Sequence, residues 1–192
     1  MSLTETTLSD PGAGEIYAAA LRVFRDQAFP RFTHEHVAEL SGAREDELRC
    51  RWPRPADLLV DALAHGILVN PEDPGDRGLR LELLEVTIHM ATEFALHGDL
   101  LVALMSRLPL DEELNQVFRE RIVLPRTEIA RKIFGRAMLR GEMRPDADPR
   151  LVFSVLPALM TYRAMIRDPA PDPAVAEHLV DTLILPHLLL RA

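Results

Sequence analysis

The segment from residue 33 to 59, Thr-His-Glu-His-Val-Ala-Glu-Leu-Ser-Gly-Ala through Trp-Pro-Arg-Pro-Ala-Asp-Leu-Leu, constrains this 192-residue chain more than any other. Cap, short helix, glycine turn, short helix and proline stop follow one another with the spacing of a helix-turn-helix, a motif that projects its second helix toward the major groove of DNA. Thr33 can cap the first helix through its hydroxyl, and Glu35 meets the positive end of the helix dipole. His36 stands where a full capping box needs Glu or Gln, so the cap is partial. Val37 and Leu40 are expected to form the buried edge, Ser41-Gly42 the turn, and Leu48 the apolar anchor of the second helix, which stops at Trp52-Pro53. Pro55 suits the first turn of a further helix with Leu58, Leu59, Ala62 and Leu63 on its inner face. Upstream, Ile16, Ala19, Ala20, Val23, Phe24 and Ala28 recur at intervals of three and four, the stripe of an amphipathic helix that covers the motif from behind.

Along these residues the chain resembles the TetR (tetracycline-repressor-like) family. Leu21 to Phe24 close an alanine-rich first helix, Phe32-Thr33 enter the second, Ser41-Gly42-Ala43 make the turn, and Leu48-Arg49-Cys50-Arg51-Trp52-Pro53, followed by Leu58-Leu59, complete the pattern. The run from Arg140 to Pro149 and the closing pair of apolar segments extend the resemblance over nearly the whole chain. It implies an all-α protein, with a three-helix helix-turn-helix DNA-binding domain and a helical ligand-binding and dimerisation domain. The implied function is that of a ligand-responsive repressor acting as a homodimer on a palindromic operator in double-stranded DNA. The expected boundaries are a poorly ordered N-terminus over 1–11, a DNA-binding domain with its connecting helix over 12–69, and the second domain over 79–192.

The reading helix departs from the family pattern. Arg44, Glu45, Asp46 and Glu47 replace small residues and Lys, Arg49 replaces Tyr, and Pro55 replaces Lys. Three consecutive acids facing a polyanion cost affinity unless a carboxylate accepts a hydrogen bond from a cytosine amino group. Arg44, Arg49, Arg51 and Arg54 offset them, and each can hold a phosphate or read a guanine bidentately. The expected DNA-contacting set is Thr33, Arg44, Glu45, Glu47, Arg49, Arg51 and Arg54. Residues 1–65 carry seven Arg against eleven acids, and the whole chain has a net charge of −8, so any DNA contact must be local and oriented. The alternative from another class is a dimeric helical module that binds a ligand or a protein and no longer binds DNA.

With 47% hydrophobic residues the chain can bury a sizeable core. The single cysteine, Cys50, excludes an internal disulfide framework and suits a reducing cytoplasm, the expected location. Residues 1–14 lack the apolar run of a signal peptide, and Pro186 and His187 interrupt the longest apolar stretch, so no membrane partner is expected. There is no phosphate loop, no His-Glu-x-x-His and no nucleophile elbow, and the acids are expected on solvated helix faces. Catalysis is therefore not expected, nor is a cofactor. His89 and His97 lack further ligands at a suitable spacing, so no metal site is expected either.

Residues 70–78, with two Pro and two Gly, form the one clear linker. Beyond it a helix is expected over 79–97 with Leu84, Ile88, Ala91 and Ala95 on its inner flank, then a turn at Gly98-Asp99 and a short helix over 100–105. Another helix starts at Pro109-Asp111 and runs toward Arg140, broken or kinked at Pro125, with Gly141 as its C-cap. Two closing helices follow, one from Asp148-Pro149 and one from about Pro173 to Leu190. Both are too apolar to be covered on one side only, which points to a twofold four-helix bundle through Val152, Val155, Leu159, Ile166, Leu179 and Leu183. Two central core helices of a monomer would show the same pattern. The resemblance further implies an effector pocket in this half. Met90, Phe94, His97, Met105, Met138, Met160 and Tyr162 are its candidates, a soft lining for a mostly apolar small molecule, although each Met also suits ordinary packing.

Overall fold

Helices account for nearly all ordered structure in the computed structural model, which describes residues 11–27, 32–166 and 173–189, the side chains of Pro11, Gln27 and Val152 excepted. No strand occurs among them beyond an isolated antiparallel bridge between Met143 and Leu189. In chain order the elements are α1 (Pro11–Gln27), α2 (His34–Ser41), α3 (Glu45–Arg51), α4 (Pro55–Gly66), α5 (Leu79–Arg107), α6 (Glu112–Phe118), α7 (Leu124–Leu139), α8 (Pro149–Met165), α9 (Pro173–Leu179) and α10 (Leu185–Leu188). Residues 1–10, expected to be poorly ordered, lie outside the described residues, as do Ala28 and Leu190, and Pro11 already opens α1.

The chain divides into two compact units. The first comprises Met1–Val69 and Ser106–Ile122, the second Asn70–Met105 and Val123–Ala192. Residues 106–122 thus belong with the helix-turn-helix, although they fall within the 79–192 span of the sequence-based boundaries. The reason is apolar: α4 buries Ala56, Leu58, Leu59, Val60, Ala62 and Leu63, and a helix apolar on so many sides needs more than one cover. α1 supplies one cover and α6 another, the latter through a segment in which Leu114, Val117, Phe118 and Ile122 are all buried. Truncating Leu58, Leu59 or Leu63, each without exposed surface, would cost about 2–5 kcal/mol. On α1 the buried stripe is Ala13, Tyr17, Ala20 and Phe24, flanked by Ala19 and Val23.

In the second unit α5 is one run from 79 to 107 with a kink at His97 (φ −136°, ψ 21°), so the turn expected at Gly98-Asp99 is a bend instead. Its inner face is also corrected. Leu79, Leu83, Thr87, Ala91 and Phe94 are buried, whereas Leu84 and Ile88 are half-buried and Ala95 is exposed. The interior face includes two acids, Glu82 and Glu93, contrary to the expectation that all acids are solvated. Asp57 of the first unit is a third exception. Each of these carboxylates is buried against arginine, the condition under which burial of a charge is tolerable.

Leu124-Pro125 and Leu185-Pro186 solve the same problem in the same way. A proline removes one ladder hydrogen bond and crowds the carbonyl four residues back, and a π-helical turn precedes each pair, over Arg119–Val123 and Val180–Ile184. The closing segment consequently has two stripes. Ala176, Val180, Ile184 and Leu188 are buried, while Val175 and Leu183 are exposed and Leu179 is half-buried. Val180, Ile184 and Leu188 of the inner stripe join Leu79, Leu83, Ile133, Phe134 and Leu156 in the core of this unit.

Candidate nucleic-acid interface and effector unit

The α2–α3 motif is built by local chemistry. Thr33 adopts an extended backbone and its Oγ1 accepts from the His36 N–H at 3.3 Å, while His36 Nδ1 lies 2.9 Å from the same hydroxyl. Histidine therefore takes up a side-chain contact at the place where Glu would complete the box. Gly42 ends α2 at φ 75°, a left-handed conformation that glycine adopts without strain, and its N–H is bound to the Ala38 carbonyl at 2.9 Å. Val37 is buried but Leu40 is 43% exposed. The inner positions of α2 are His34 and Val37, one turn apart, which leaves Leu40 at the edge of the buried face.

α3 is seated by Leu48 and Trp52, 1% and 2% exposed. The Trp52 indole Nε1 donates to Asp61 Oδ2 at 2.7 Å, its ring meets Tyr17 edge-on at 5.8 Å, and the Arg51 guanidinium lies 4.6 Å over it. Asp61 is also paired with Arg121 of the π turn. At 100° per residue, the side of α3 opposite Leu48 carries Asp46 and Cys50, about 160° from it on either flank. Both are exposed, and neither belongs to the DNA-contacting set drawn from the sequence. Counting turns from Leu48 would have found them, whereas attention to charge selected the arginines.

Those arginines are engaged. Arg44 holds Asp46 bidentately (Nε–Oδ1 3.0 Å, Nη2–Oδ2 2.5 Å), and Arg49 holds Glu45 Oε1 through Nε at 2.9 Å and Nη2 at 2.5 Å. The hydrogen bonds from Arg44 keep the Asp46 carboxyl below the usual carboxylate range. Arg54, at the N-cap of α4, grips buried Asp57 at 2.8 and 2.9 Å, and Asp57 in turn accepts the Arg54 backbone N–H at 3.2 Å. Burial alone would raise the Asp57 carboxyl, but Arg54 and then Arg121 outweigh it and hold it low. Of the remaining expected contacts, Thr33 is half-buried as a cap and Glu47 is exposed.

His34 is fully buried, and neither ring nitrogen has a partner at hydrogen-bonding geometry. Burial pushes its pKa down with help from Arg49, while the Trp52 backbone, Glu45 and Asp57 oppose the shift without reversing it.

In the second unit Phe94 and Met160 are buried, Met90, His97 and Met105 are half-buried, and His97 sits at the kink of α5. Met138 and Tyr162 are each 60% exposed. Beside them Ala137 and Met160 take the inward positions. A polar feature of this region was missed from the sequence: Glu93 receives Arg126 at 2.9 and 2.5 Å and lies 3.4 Å from His89. Along α8 and α9, Leu151, Tyr162, Met165, Ile166, Val175 and Leu183 expose large apolar side chains, with Val155, Leu159 and Leu179 half-buried among them. Val152 lies outside the described side chains. No helix among the described residues is long and apolar enough to cross a membrane.

Residues 71–183 match the family described as Tetracyclin repressor-like, C-terminal domain. The chain is 31% identical over 173 residues to the DNA-binding transcriptional repressor TetR of Mycobacteroides abscessus, covering 88% of this chain and 90% of that protein. It is 27% identical over 185 residues to an HTH-type transcriptional regulator of Mycobacterium tuberculosis, covering 96% and 92%. Among solved structures, a TetR family transcription regulator shares its fold at a TM-score of 0.64 and 24% identity over 91% of this chain and 97% of that one. GusR of Salmonella enterica does so at 0.65 and 18% over 94% and 93%.

Proposed function

Because the chain belongs to the tetracycline-repressor-like (TetR) family of transcriptional regulators, which are not enzymes, we propose that it is a ligand-responsive repressor, cytoplasmic, acting as a homodimer on a palindromic operator. The observation that carries this reading is the geometry of α3. A capped helix and a glycine turn precede it, Leu48 and Trp52 seat it, and the side bearing Asp46, Arg49 and Cys50 stays exposed. Of the contact set drawn from the sequence, Glu47 and Arg49 stand beside that side, about 100° from Leu48, whereas Glu45 and Arg51 lie about 60° from it and Thr33, Arg44 and Arg54 lie outside α3; Asp46 and Cys50 join the set as proposed contacts.

The exposed apolar face of α8 and α9 supports twofold association through Val155, Leu159, Ile166, Leu179 and Leu183. A monomer leaving Leu151, Met165 and Ile166 each more than half in water would carry an apolar patch of the kind that marks an interface. Pairing two reading helices about one DNA turn apart, or a multiple of it, is what a palindrome requires. Leu159→Glu should give a monomer in sedimentation that has lost cooperative operator binding.

Effector entry among Met90, Phe94, His97, Met105 and Met160 would act on α3 through the chain itself, which passes between the units after Val69, Met105 and Ile122. The last passage has a physical handle. Arg121 pairs with Asp61, and Asp61 holds the Trp52 indole that seats α3. A shift of the π turn would thus tilt α3, and a few ångströms of displacement forfeit one half-site. The domains follow: 12–69 with 106–122 for DNA, and the rest of 70–192 for effector and dimer.

A second reading, a dimeric module that does not bind DNA, draws on the arginine–carboxylate pairs that neutralise α3. Selection from random duplexes followed by titration across salt separates the two. A repressor enriches a palindrome and binds it with a steep salt slope, whereas the module does neither.

A further inference from the structure

Resting on the reading of α3 as the DNA-facing helix, we infer that Glu45 and Asp46 are specificity-determining residues that stand in for DNA phosphate and hold Arg49 and Arg44 away from random sequence. Non-specific affinity comes from arginines that neutralise phosphates and release counterions. Here each of two such arginines, Arg49 on α3 and Arg44 at its N-cap, already has a carboxylate of α3 at hydrogen-bonding distance, four or two positions away. To reach a phosphate, the guanidinium must give up those bonds and leave a bare carboxylate facing a polyanion. The outward position of Asp46, opposite buried Leu48, makes that exposure direct.

A C·G pair compensates both ends at once. Guanine O6 and N7 accept from the arginine, and the cytosine amino group donates to the carboxylate. Random duplex compensates neither end consistently, so the pairs weaken random binding more than operator binding. The half-site under α3 is accordingly expected to contain C·G pairs. The acidic reading helix, unfavourable as a DNA surface when its charges are summed, is favourable as a filter.

The test compares wild type with Glu45→Gln, Asp46→Asn and Glu39→Gln on two probes, a mixed random-sequence duplex and the palindrome enriched by wild type, at several salt concentrations. Glu39 is exposed on α2, lies outside the contact set and takes part in neither pair, so its variant removes an equal charge without releasing an arginine. Glu45→Gln and Asp46→Asn should each tighten random-duplex binding by about fivefold and steepen its logarithmic salt slope by about one unit, the value of one more phosphate contact. Their affinity for the palindrome should rise less than for random duplex, and Glu39→Gln should leave the slope unchanged. Unchanged random binding, or a Glu39→Gln effect equal to the other two, would overturn the inference while leaving the reading of α3 intact. A wild type that enriches no sequence would overturn that reading and the inference with it.

Discussion

The carboxylates of Glu45 and Asp46 on α3 and those of Glu82 and Glu93 on α5 all face arginines, but the first two stand in water and the last two do not. Glu82 has no exposed surface. It receives Arg136 at 2.5 and 3.0 Å and Arg140 at 3.1 Å, and those arginines reach on to Asp73, Asp76 and Glu142. Glu142 in turn accepts the backbone N–H of Leu79 at 2.9 Å, fixing the start of α5 to the turn that follows α7. An exposed pair can trade its partner for water or phosphate, so it contributes little to stability and much to selectivity. A buried pair has nothing to trade with, and it fixes structure.

Breaking the buried set should have the largest effect. Glu82→Gln leaves Arg136 and Arg140 without the buried carboxylate they share and should lower the stability of the second unit by about 3 kcal/mol in urea denaturation. Next comes the seat of the reading helix. Trp52→Phe removes the bond to Asp61 and part of a buried ring, which should cost about 2 kcal/mol and also weaken operator binding.

Smaller again is the effect of His34. Its folded pKa lies below the ordinary 6.5, so over the interval between the two values the unfolded chain binds a proton that the folded chain does not. Stability therefore falls as pH drops below about 6.5, and the loss levels off once the folded ring itself protonates. His34→Leu removes the titrating ring and should flatten the pH profile of the first unit's stability over that range, read by denaturation at about pH 5.5 and about pH 7.5. Smallest of all, Asp46→Asn and Glu45→Gln should leave the unfolding midpoint where it is, although they change DNA binding most. A large loss of stability in either would erase the distinction between the two classes of pair.

The α2–α3 motif was legible because its determinants are near neighbours: a capping Thr33, a left-handed Gly42, a buried Leu48, and Pro55 after the stop. Pro125 announced its own break for the same reason. Burial of Glu82 was not legible, since the arginines that permit it lie 54 and 58 residues along the chain. Residues 106–122 carry an ordinary helical pattern, and nothing local in it says that Leu114 and Phe118 pack with α4. On the closing segment the stripes through Val175 and through Ala176 look equally apolar, and only packing tells which is inward. In the candidate interface the arginines drew attention by charge, while their pairing with Asp46 and Glu45 emerged only with coordinates.

Cys50 is the one cysteine of the chain and stands on the outward side of α3, so a photoactivatable cross-linker placed on its thiol probes the central claim directly. On the enriched palindrome, cross-links should fall on major-groove base edges in both half-sites, separated by about one helical turn or a multiple of it. Cross-links confined to protein, or scattered along the duplex without a repeated spacing, would contradict a duplicated α3 as the reading element.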